Sequence, residues 1–581
     1  MGSEPESFRA YGRLAGLTVA TALTAGLGGA GSALAFPLLD TGALGTGSSI
    51  SDLATPDAQD LTHQLQIANG IPGKNSAFGW TFLPRIGVQE TLTDNVMQVH
   101  SPMRWDLTTS LSPGMSVSGN TQRTQLRLDY APVLIMNART GSQNALNQQL
   151  NGTATVTAID EFAFVDIRAL SGIQSTRGAA GAGGSVGASD GGGLTAGSGS
   201  GIGGSRQLGA TQQDTVQTVS IGISPYILKQ FREYGTVRLG YSLNLSQSSP
   251  ASGFTYVPFP SGGGSRKQTT TEQTFEYRSG DFLNDFQDVF NLDLSQSNSS
   301  GSLGATGSIT AAAQKTTSTR EIFSNALNYA LTRSVTLTAS LGHERIAYSG
   351  ANAQTIDDLT WSFGGTYTPN QYSSITLSYG HQQGSDSVTF NGHYQLTART
   401  SISASYSDTL GTQLENLQQQ LNRGAVSSNG SFVNAQTGGQ LFGTTNAAAI
   451  QPGVFHFKTL TSTITTQLNR DTLSLTLNAS NQVSAGGTSA LQSSSQTNGL
   501  IMTWTHELRG DLRWTNSVSF NTIAGGLQGS SQSMAFNSGL LYTINEKLSA
   551  SARYTYYRSA SSSVLLNLYE DIFVVGITKS F

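Results

Sequence analysis

The chain has 581 residues, of which 37% are hydrophobic and 11% charged, and its formal net charge is −4. A chain with so few charges usually buries a large apolar core, but here 67 glycines and many small polar residues take that place. The near-neutral charge excludes the basic surface of a nucleic-acid-binding protein. The absence of cysteine excludes disulfides, thiolate metal sites and cysteine nucleophiles.

The amino terminus has the features of a secretory signal peptide. Arg9 and Arg13 precede a weakly apolar run over 14–31, and Ala33 and Ala35 provide the small residues of a cleavage site. We therefore predict a signal peptide over 1–35, cleaved near Ala35. A retained anchor helix is the alternative, but the run is rich in glycine. No other stretch approaches about 18 consecutive apolar residues, so any membrane crossing must use strands.

Residues 36–76 are polar and glycine-rich and contain one predicted helix. Thr55 can cap this helix, Pro56 lies in its first turn and Gly70 ends it. We expect this segment to lie in the periplasm or inside a lumen. Residues 77–581 are predicted to form the remaining domain, with strand-like units beginning near Pro84.

Strict alternation of apolar and polar residues dominates this domain. It is clearest over Val335–Leu341, Leu473–Ala479 and Leu548–Tyr556, where leucine, alanine, valine and tyrosine alternate with Ser, Thr, Asn and Arg. The last stretch follows the same rule and ends on an aromatic residue. Its apolar face is Phe573, Val575, Ile577, Lys579 and Phe581, and we predict that this strand closes a sheet and serves as the assembly signal.

These patterns predict an all-β fold, a transmembrane antiparallel up-and-down β-barrel of about 22 strands, within a range of 18–24. Apolar faces would contact lipid and polar faces would line water. A soluble sandwich would turn the apolar faces inward instead.

Connection lengths support the barrel, because short and longer links alternate along the chain. Outer-membrane barrels have short periplasmic turns and long extracellular loops. Short links are predicted near Gly119–Gln122, Ile159–Glu161, Gln230–Glu233, Leu283–Phe286, Thr332–Ser334, Pro369–Gln371, Thr397–Thr400, Asn469–Asp471, Arg509–Gly510 and Asn545–Lys547.

Two of the long links have distinctive sequences. Residues 178–205 are almost entirely Gly, Ala and Ser, without the strand, helix or lysine of a phosphate-binding loop, and predict a flexible outer loop. In 411–424, Thr412 and Glu415 have capping-box spacing and Gly424 ends an apolar helical face. This short helix could fold inward and narrow a pore, or lie across its mouth.

No residue pattern indicates catalysis or a metal site. The seven histidines form no H-x-x-x-H pair, and in the trio His343-Glu344-Arg345 neighbouring side chains of a strand would point to opposite faces. A hydrolase could still assemble Ser, His and an acid from distant strands. We expect no enzyme activity, no cofactor, no metal and no catalytic residue.

Charged residues on the polar faces are the pore-lining candidates. Both signs occur on single strand faces, which suits neutral hydrated cargo better than strong ion selection. Alternatively, these residues pair across strands and stabilise the wall. The candidates are Arg127, Asp129, Asp166, Arg168, Arg238 and Arg553.

Five aromatic residues are placed where an interfacial girdle would be: Trp105, Trp504, Trp514, Tyr554 and Tyr569. Stacking on sugars in the lumen is the alternative role for them.

The stretch from Pro84 to Tyr241 resembles a family of outer-membrane β-barrel proteins associated with exopolysaccharide and exosortase (PEP-CTERM) gene clusters. The segments that carry the resemblance are Glu90–Val96, Leu111–Gly114, Leu126–Tyr130, Leu146–Leu150, Ser224–Tyr226 and Gly240–Tyr241, with Thr400–Leu410 similar as well. The glycine-rich insertion at 178–205 departs from the family pattern. The resemblance implies a role in polysaccharide export.

These observations together predict an outer-membrane channel that takes part in exopolysaccharide export. A general diffusion porin, a barrel hydrolase acting on lipid or glycan, and a surface-display barrel with a blocked lumen remain alternatives. The expected partners are outer-membrane lipid and lipopolysaccharide, the barrel assembly machinery, exopolysaccharide and periplasmic export components, with no nucleic acid.

Overall fold

The computed structural model describes residues 79–175, 215–250, 266–301, 314–349, 353–412, 415–416, 424–426, 432–434, 454–485, 494–525, 530–561 and 567–581. The predicted signal peptide, the 36–76 segment and the 178–205 loop lie outside these ranges. No helix within these ranges is long and apolar enough to cross a membrane.

The described chain forms a closed antiparallel barrel of 22 strands, as the sequence predicts. In chain order they are β1 (Gly79–Thr93), β2 (Asp106–Asn120), β3 (Thr124–Tyr130 and Val133–Asn137), β4 (Ala145–Asn147 and Leu150–Ile159), β5 (Ala163–Ser175), β6 (Thr215–Gln230), β7 (Gly235–Pro250), β8 (Arg266–Ser279), β9 (Phe286–Gly301), β10 (Gln314–Thr332), β11 (Val335–Ser349), β12 (Gln354–Asn370), β13 (Ser373–Gln382), β14 (Ser385–Thr397), β15 (Thr400–Thr412), β16 (Val454–Gln467), β17 (Asp471–Ser484), β18 (Ser495–Arg509), β19 (Leu512–Gly525), β20 (Ser531–Asn545), β21 (Leu548–Ser561) and β22 (Leu568–Ser580).

A few short elements lie outside the barrel wall. Within the described ranges, 3₁₀ helices span Gly141–Gln143, Arg232–Tyr234 and Asp281–Leu283. A small hairpin joins Gly424–Val426 to Phe432–Asn434.

The first and last strands close the barrel. β1 pairs antiparallel with β22 from Arg85 opposite Ser580 to Thr93 opposite Ile572. An even number of strands in an up-and-down sheet makes this final pairing antiparallel, like every other pairing in the wall. The carboxyl-terminal strand therefore occupies the closing position that its sequence pattern predicts.

β3 and β4 are each interrupted, and proline explains the break in β3. Pro132 has no backbone N–H to donate, and it separates the two parts of β3. Across the break, Ala131 N donates a 2.9 Å hydrogen bond to Gln149 O, which lies in the corresponding gap of β4. The wall stays continuous because both parts of β3 pair with the unbroken β2.

The two ends of the barrel differ in their strand connections, although the loop end also has one two-residue turn, at Gln383–Gly384. At one end all ten are short, and their positions agree with the ten short links that the sequence predicts. Gly79 and Ser580 also lie at this end, which we call the turn end. The opposite, loop end has the long connections 176–214 and 413–453.

Side chains alternate across the wall in the sense that a membrane barrel requires. Outward-facing apolar residues are unusually exposed, including Leu341 (58%), Phe363 (61%) and Ile577 (54%). The residues that alternate with such apolar positions face inward and are mostly small and polar, such as Thr338 on β11 and Thr578 on β22. An apolar outer face and a polar inner face are characteristic of a transmembrane β-barrel.

Candidate functional site: the lumen and the loop that enters it

All six predicted pore-lining residues lie on the inner face of the wall. Arg127 and Asp129 alternate on β3 with Tyr130, which is exposed outward, and Asp166 and Arg168 alternate on β5 with outward-facing Ile167. The other two follow the same alternation: Arg238 lies inward on β7 and Arg553 inward on β21. Alternation along single strands was sufficient to place them.

The carboxylate of Asp129 forms two hydrogen bonds of 2.6 and 2.7 Å with Arg85 of β1. Ser116 of β2, which lies between them, accepts a 2.7 Å hydrogen bond from Arg85 Nη1. Sequence reasoning missed Arg85, because only the strand register brings it across β2 to Asp129.

A second inward cluster joins β5, β6 and β7. The rings of Phe164 and Tyr226 are stacked with centroids 5.1 Å apart, and the guanidinium of Arg238 lies 4.6 Å from the centroid of Tyr226. On the same face, Asp166 accepts a 2.8 Å hydrogen bond from the hydroxyl of Thr155. The alternative that the charged residues stabilise the wall therefore applies to Asp166 and Arg238. Each has a partner on a neighbouring strand, a hydroxyl for Asp166 and an aromatic ring for Arg238.

Arg553 differs from the other inward arginines. It lies on β21 between Ser551 and Thr555, and no described carboxylate forms an ion pair with it. Its Nε atom is buried and has no hydrogen-bond partner within the described residues. Arg553 therefore gives this part of the lumen a positive charge that no described side chain neutralises.

The tips of β15 and β16 bend into the lumen at the loop end. Leu410 and Val454 occupy outward positions of these strands, yet both are buried in one cluster with Ile346, Tyr348 and Ile356. The latter three residues face inward from β11 and β12. Outward-phase residues can contact the inner wall only if the tips of β15 and β16 lie inside the barrel.

A short hairpin between β13 and β14 leaves room for this bend. It is closed by Gln383 (φ 54°) and Gly384 (φ 71°), the pair of positive φ values found in a type I′ turn. This turn contacts the inward-bent tip of β15, because Gln383 Oε1 accepts a hydrogen bond from the backbone N–H of Leu410. A Cβ on Gly384 would lie 3.2 Å from Ile356.

Glu415 attaches the beginning of the 413–453 loop to the inner wall. Its carboxylate accepts a hydrogen bond from the hydroxyl of Ser318 on β10 and lies 4.0 Å from Arg320 on the same strand. Arg320 also donates a 2.7 Å hydrogen bond to the hydroxyl of Tyr348. We call Ser318, Arg320, Tyr348 and Glu415 the latch.

The predicted capping box is present at the same point. Thr412 N donates to Glu415 Oε2 at 2.9 Å, and Glu415 N donates to Thr412 Oγ1 at 3.2 Å. Glu415 and Asn416 are helical and buried. Of the two positions considered for this helix, its first described residues take the inward one.

The same loop also reaches the opposite wall. The hairpin formed by Gly424–Val426 and Phe432–Asn434 lies against β4 and β5. These strands are half the circumference away from β15 and β16, from which the loop departs. The described parts of the 413–453 loop therefore lie against strands on opposite sides of the barrel.

Four of the five predicted girdle residues face outward from strands. Trp504 and Trp514 lie near the turn end with ring centroids 5.3 Å apart, and Trp504 Nε1 donates a 2.8 Å hydrogen bond to Asp471. Tyr554, in the middle of β21, and Tyr569, at the loop end of β22, are exposed on the outer face. Trp105, in the first loop, is stacked under Arg139 at 3.4 Å. Outward positions suit interfacial anchoring rather than sugar stacking in the lumen.

The predicted closing strand presents Phe573, Val575, Ile577 and Phe581 outward. All four side chains are more than 40% exposed. In the register with β1, Phe573 lies opposite Leu92 and Ile577 opposite Val88. The seam is therefore apolar on its lipid-facing side.

Histidines of the described chain occur mainly in pairs with aspartate. His343 contacts Asp357, His381 contacts Asp386, His456 contacts Asp408 and His506 contacts Asp471. None of these pairs forms a hydrogen bond with a serine in the described ranges. Glu344, next to His343, faces inward and is buried. No group of three or more metal-ligating side chains was found in the same ranges.

Comparisons with known proteins give similarity of shape only. No protein-family model and no curated protein matches the chain. The FrpB iron transporter of Neisseria meningitidis (F5-1 variant, apoprotein form) has 9% sequence identity and a TM-score of 0.48, covering 90% of this chain and 83% of that chain.

Two other structures are similar at the same level. The ferric-catecholate import receptor Fiu from E. coli K12 has 9% identity and a TM-score of 0.45, covering 86% of this chain and 81% of that chain. The siderophore receptor PirA from Pseudomonas aeruginosa has 11% identity and a TM-score of 0.41, covering 86% and 80%. At these values we transfer no cargo from the receptors to this chain.

Proposed function

We propose that this protein is a non-enzymatic channel of the bacterial outer membrane that takes part in exopolysaccharide export. The observation that supports a channel is the closed 22-strand wall with an apolar outer face and a polar inner face. A wall of 22 strands is wide enough to surround a hydrated chain where nothing else fills the lumen. The predicted signal peptide and the barrel fold both support the outer membrane as its location.

Polysaccharide is the proposed cargo because of the resemblance over Pro84–Tyr241 and the character of the lumen. Paired charges such as Arg85 with Asp129 leave little net field to repel or trap a hydrated neutral polymer. Lipid and lipopolysaccharide, the barrel assembly machinery and periplasmic export components are the partners that this role requires.

Deletion of the gene tests the export role directly. We expect secreted polysaccharide to fall and polymer to accumulate in the periplasm, with recovery when the wild-type gene is restored. Unchanged secretion in the deletion strain would contradict the proposal.

A general diffusion porin is the second candidate, and the mixed charges of the lumen favour it equally. A porin would conduct ions steadily in planar bilayers and show no preference for polymer over small solutes. An exporter with the loop in its lumen would conduct fewer ions than an open barrel of 22 strands. Oligosaccharides would interrupt its ion current.

A barrel hydrolase receives no support from the described residues, in which His–Asp pairs lack a serine partner. A lipid or glycan hydrolysis assay that detects activity in the purified protein, lost on changing one serine, would favour that reading instead.

A further inference from the structure

The inward-phase positions of one part of the wall carry no formal charge, whereas Asp408, His456 and Lys458 lie on the opposite face of β15 and β16 and pair with one another. The inward positions are the even-numbered residues of β13 and β17 and the odd-numbered residues of β14, β15 and β16. Apart from two glycines, Phe455, Phe457 and His393, every one of these positions is Ser, Thr, Asn or Gln. We call this inner surface the hydroxyl wall.

The absence of charge ends abruptly at both sides of the hydroxyl wall. β12 has an inward carboxylate at Asp358, paired in register with Glu344, and β18 has one at Glu507, 3.7 Å from Arg513. The other inner charges lie on strands outside β13–β17, among them Arg320 of β10, Arg553 of β21, Glu570 of β22 and the Arg85–Asp129 and Asp166–Arg238 groups. The described lumen therefore has a charged side and a neutral side.

Part of the hydroxyl wall is open to water. Ser374, Asn391, His393 and Ser405 face inward and are all exposed. They adjoin one another in the register, because Asn391 lies opposite Ser405 and His393 lies opposite Ser374. A continuous polar surface is therefore accessible from the lumen near the turn end.

Hydroxyl pairs along the hydroxyl wall can also form hydrogen bonds with the hydroxyl groups of a cargo molecule. Thr366 of β12 with Thr376 (2.9 Å) and Thr463 with Thr476 (3.1 Å) are hydroxyl pairs in which either oxygen can donate. A hydroxyl has one donor and two acceptor sites, so such a pair can accept a third hydroxyl without losing its own bond. The hydroxyls of a sugar have the same donor and acceptor capacity.

Unsatisfied polar atoms also occur on this surface. Ser480, only 7% exposed, has a buried Oγ without a hydrogen-bond partner, and Asn478 has an unpartnered Nδ2 on the same inner face of β17. Thr476, Asn478 and Ser480 follow one another at two-residue steps along the inner face of β17. Unused hydrogen-bonding capacity therefore lies beside the hydroxyl pairs.

We propose that the hydroxyl wall is a binding surface for a neutral, polyhydroxylated polymer, and that cargo moves along β13–β17 rather than along the charged side. This inference rests on the proposed export function and names its substrate class. Many weak, equivalent hydrogen bonds without an ion pair allow a chain to enter and also to leave, as conduction requires.

Planar-bilayer recordings with neutral maltodextrin of defined length test the proposal. The variant Asn391→Ala/Ser403→Ala/Ser405→Ala removes three polar groups from the hydroxyl wall. We expect the time for which each maltodextrin blocks the current to fall about tenfold, while ion conductance changes little. An oligogalacturonate of equal length provides an anionic probe and should show no such dependence.

Ser220→Ala/Ser246→Ala/Ser248→Ala is the matched control, since it removes three inward hydroxyls from β6 and β7 on the charged side. Blocking times equal to wild type in the hydroxyl-wall variant, or an equal reduction in the control, would overturn the proposal. Ser405→Thr keeps the hydroxyl and should keep the wild-type blocking time, which separates lost binding from misfolding.

The same variants separate this inference from the export role. If deletion of the gene leaves secretion unchanged while the hydroxyl-wall variant still shortens blocking, export is wrong and the binding surface stands. If deletion abolishes secretion but maltodextrin blocks the hydroxyl-wall variant for as long as wild type, the export role stands and this inference is wrong.

Discussion

The hydroxyl of Thr93 donates a 2.7 Å hydrogen bond to Oε1 of Glu570, joining residues that are 477 positions apart in the chain. The other carboxylate oxygen of Glu570 accepts a 2.8 Å hydrogen bond from Nε2 of Gln98 in the first loop. All three residues are buried, and Glu570 is fully buried. The inner side of the seam between β1 and β22 is thus held by one carboxylate.

Glu570→Ala should weaken closure of the barrel. It leaves the buried donors of Thr93 and Gln98 without this acceptor, which costs about 1–3 kcal/mol per unsatisfied group. We expect the folded, compact band on an unboiled gel to convert to the unfolded band at a lower temperature than in wild type. Glu570→Gln keeps one carbonyl acceptor and should fall between the two. Identical conversion temperatures for wild type and Glu570→Ala would show that the seam does not depend on this group.

Glu415→Ala should loosen the loop that enters the lumen. The change removes the acceptor of Ser318 and the partner of Arg320, so the latch no longer holds the beginning of the loop. We expect larger and noisier single-channel conductance in planar bilayers. Glu546→Ala, which removes an exposed carboxylate from a turn at the other end, is the control. Smaller or unchanged conductance in Glu415→Ala would contradict an obstructing role for the loop.

Glu90→Leu should stabilise the barrel. Glu90 faces outward between Val88 and Leu92, opposite Val575 in the middle of β22, and is hydrogen-bonded by Thr109 at 2.8 Å. Its other carboxylate oxygen is buried without a partner. Removing an acidic group from the centre of a lipid-facing surface should gain on the order of 1–2 kcal/mol.

Urea unfolding of the protein reconstituted in vesicles measures this gain. Glu90→Gln, which keeps an acceptor for Thr109, should lie between wild type and the leucine variant. A leucine variant that unfolds at lower urea concentration than wild type would indicate that Glu90 has a partner on the outer surface.

Arg553→Gln should make the channel more selective for cations. No described carboxylate neutralises this inward arginine, so its loss removes a positive charge from the ion path. The reversal potential in a salt gradient should shift in the direction of cation preference. Arg558→Gln on the outer face of the same strand should leave the reversal potential at the wild-type value. A shift of equal size in both variants would show that Arg553 does not line the ion path.

Features that depend on residues close in sequence were predictable. Alternation along single strands placed Arg127, Arg238 and Arg553 on the inner face, and the ten short links were correct because turn residues interrupt a period of two. The capping box of Thr412 and Glu415 was predictable because its two hydrogen bonds span only three positions.

Features that depend on register or on bending were not predictable. Asp129 forms its ion pair with Arg85, because the pairing of β1, β2 and β3 brings the two side chains together across β2. The inward bend of β15 and β16 has no local signal, since Leu410 and Val454 keep the phase of outward residues. The stacking of Phe164 on Tyr226 likewise follows from the register of β5 with β6.

Single-cysteine accessibility along β17 tests most directly whether the apolar side of each strand faces lipid. The chain has no cysteine, so each position from Leu473 to Asn478 can be labelled alone in the reconstituted protein. Probes at Leu473, Leu475 and Leu477 should be quenched by a lipid-soluble quencher, and those at Ser474, Thr476 and Asn478 only by a water-soluble one. Reversed alternation, or equal quenching at all six positions, would contradict the barrel orientation on which the account depends.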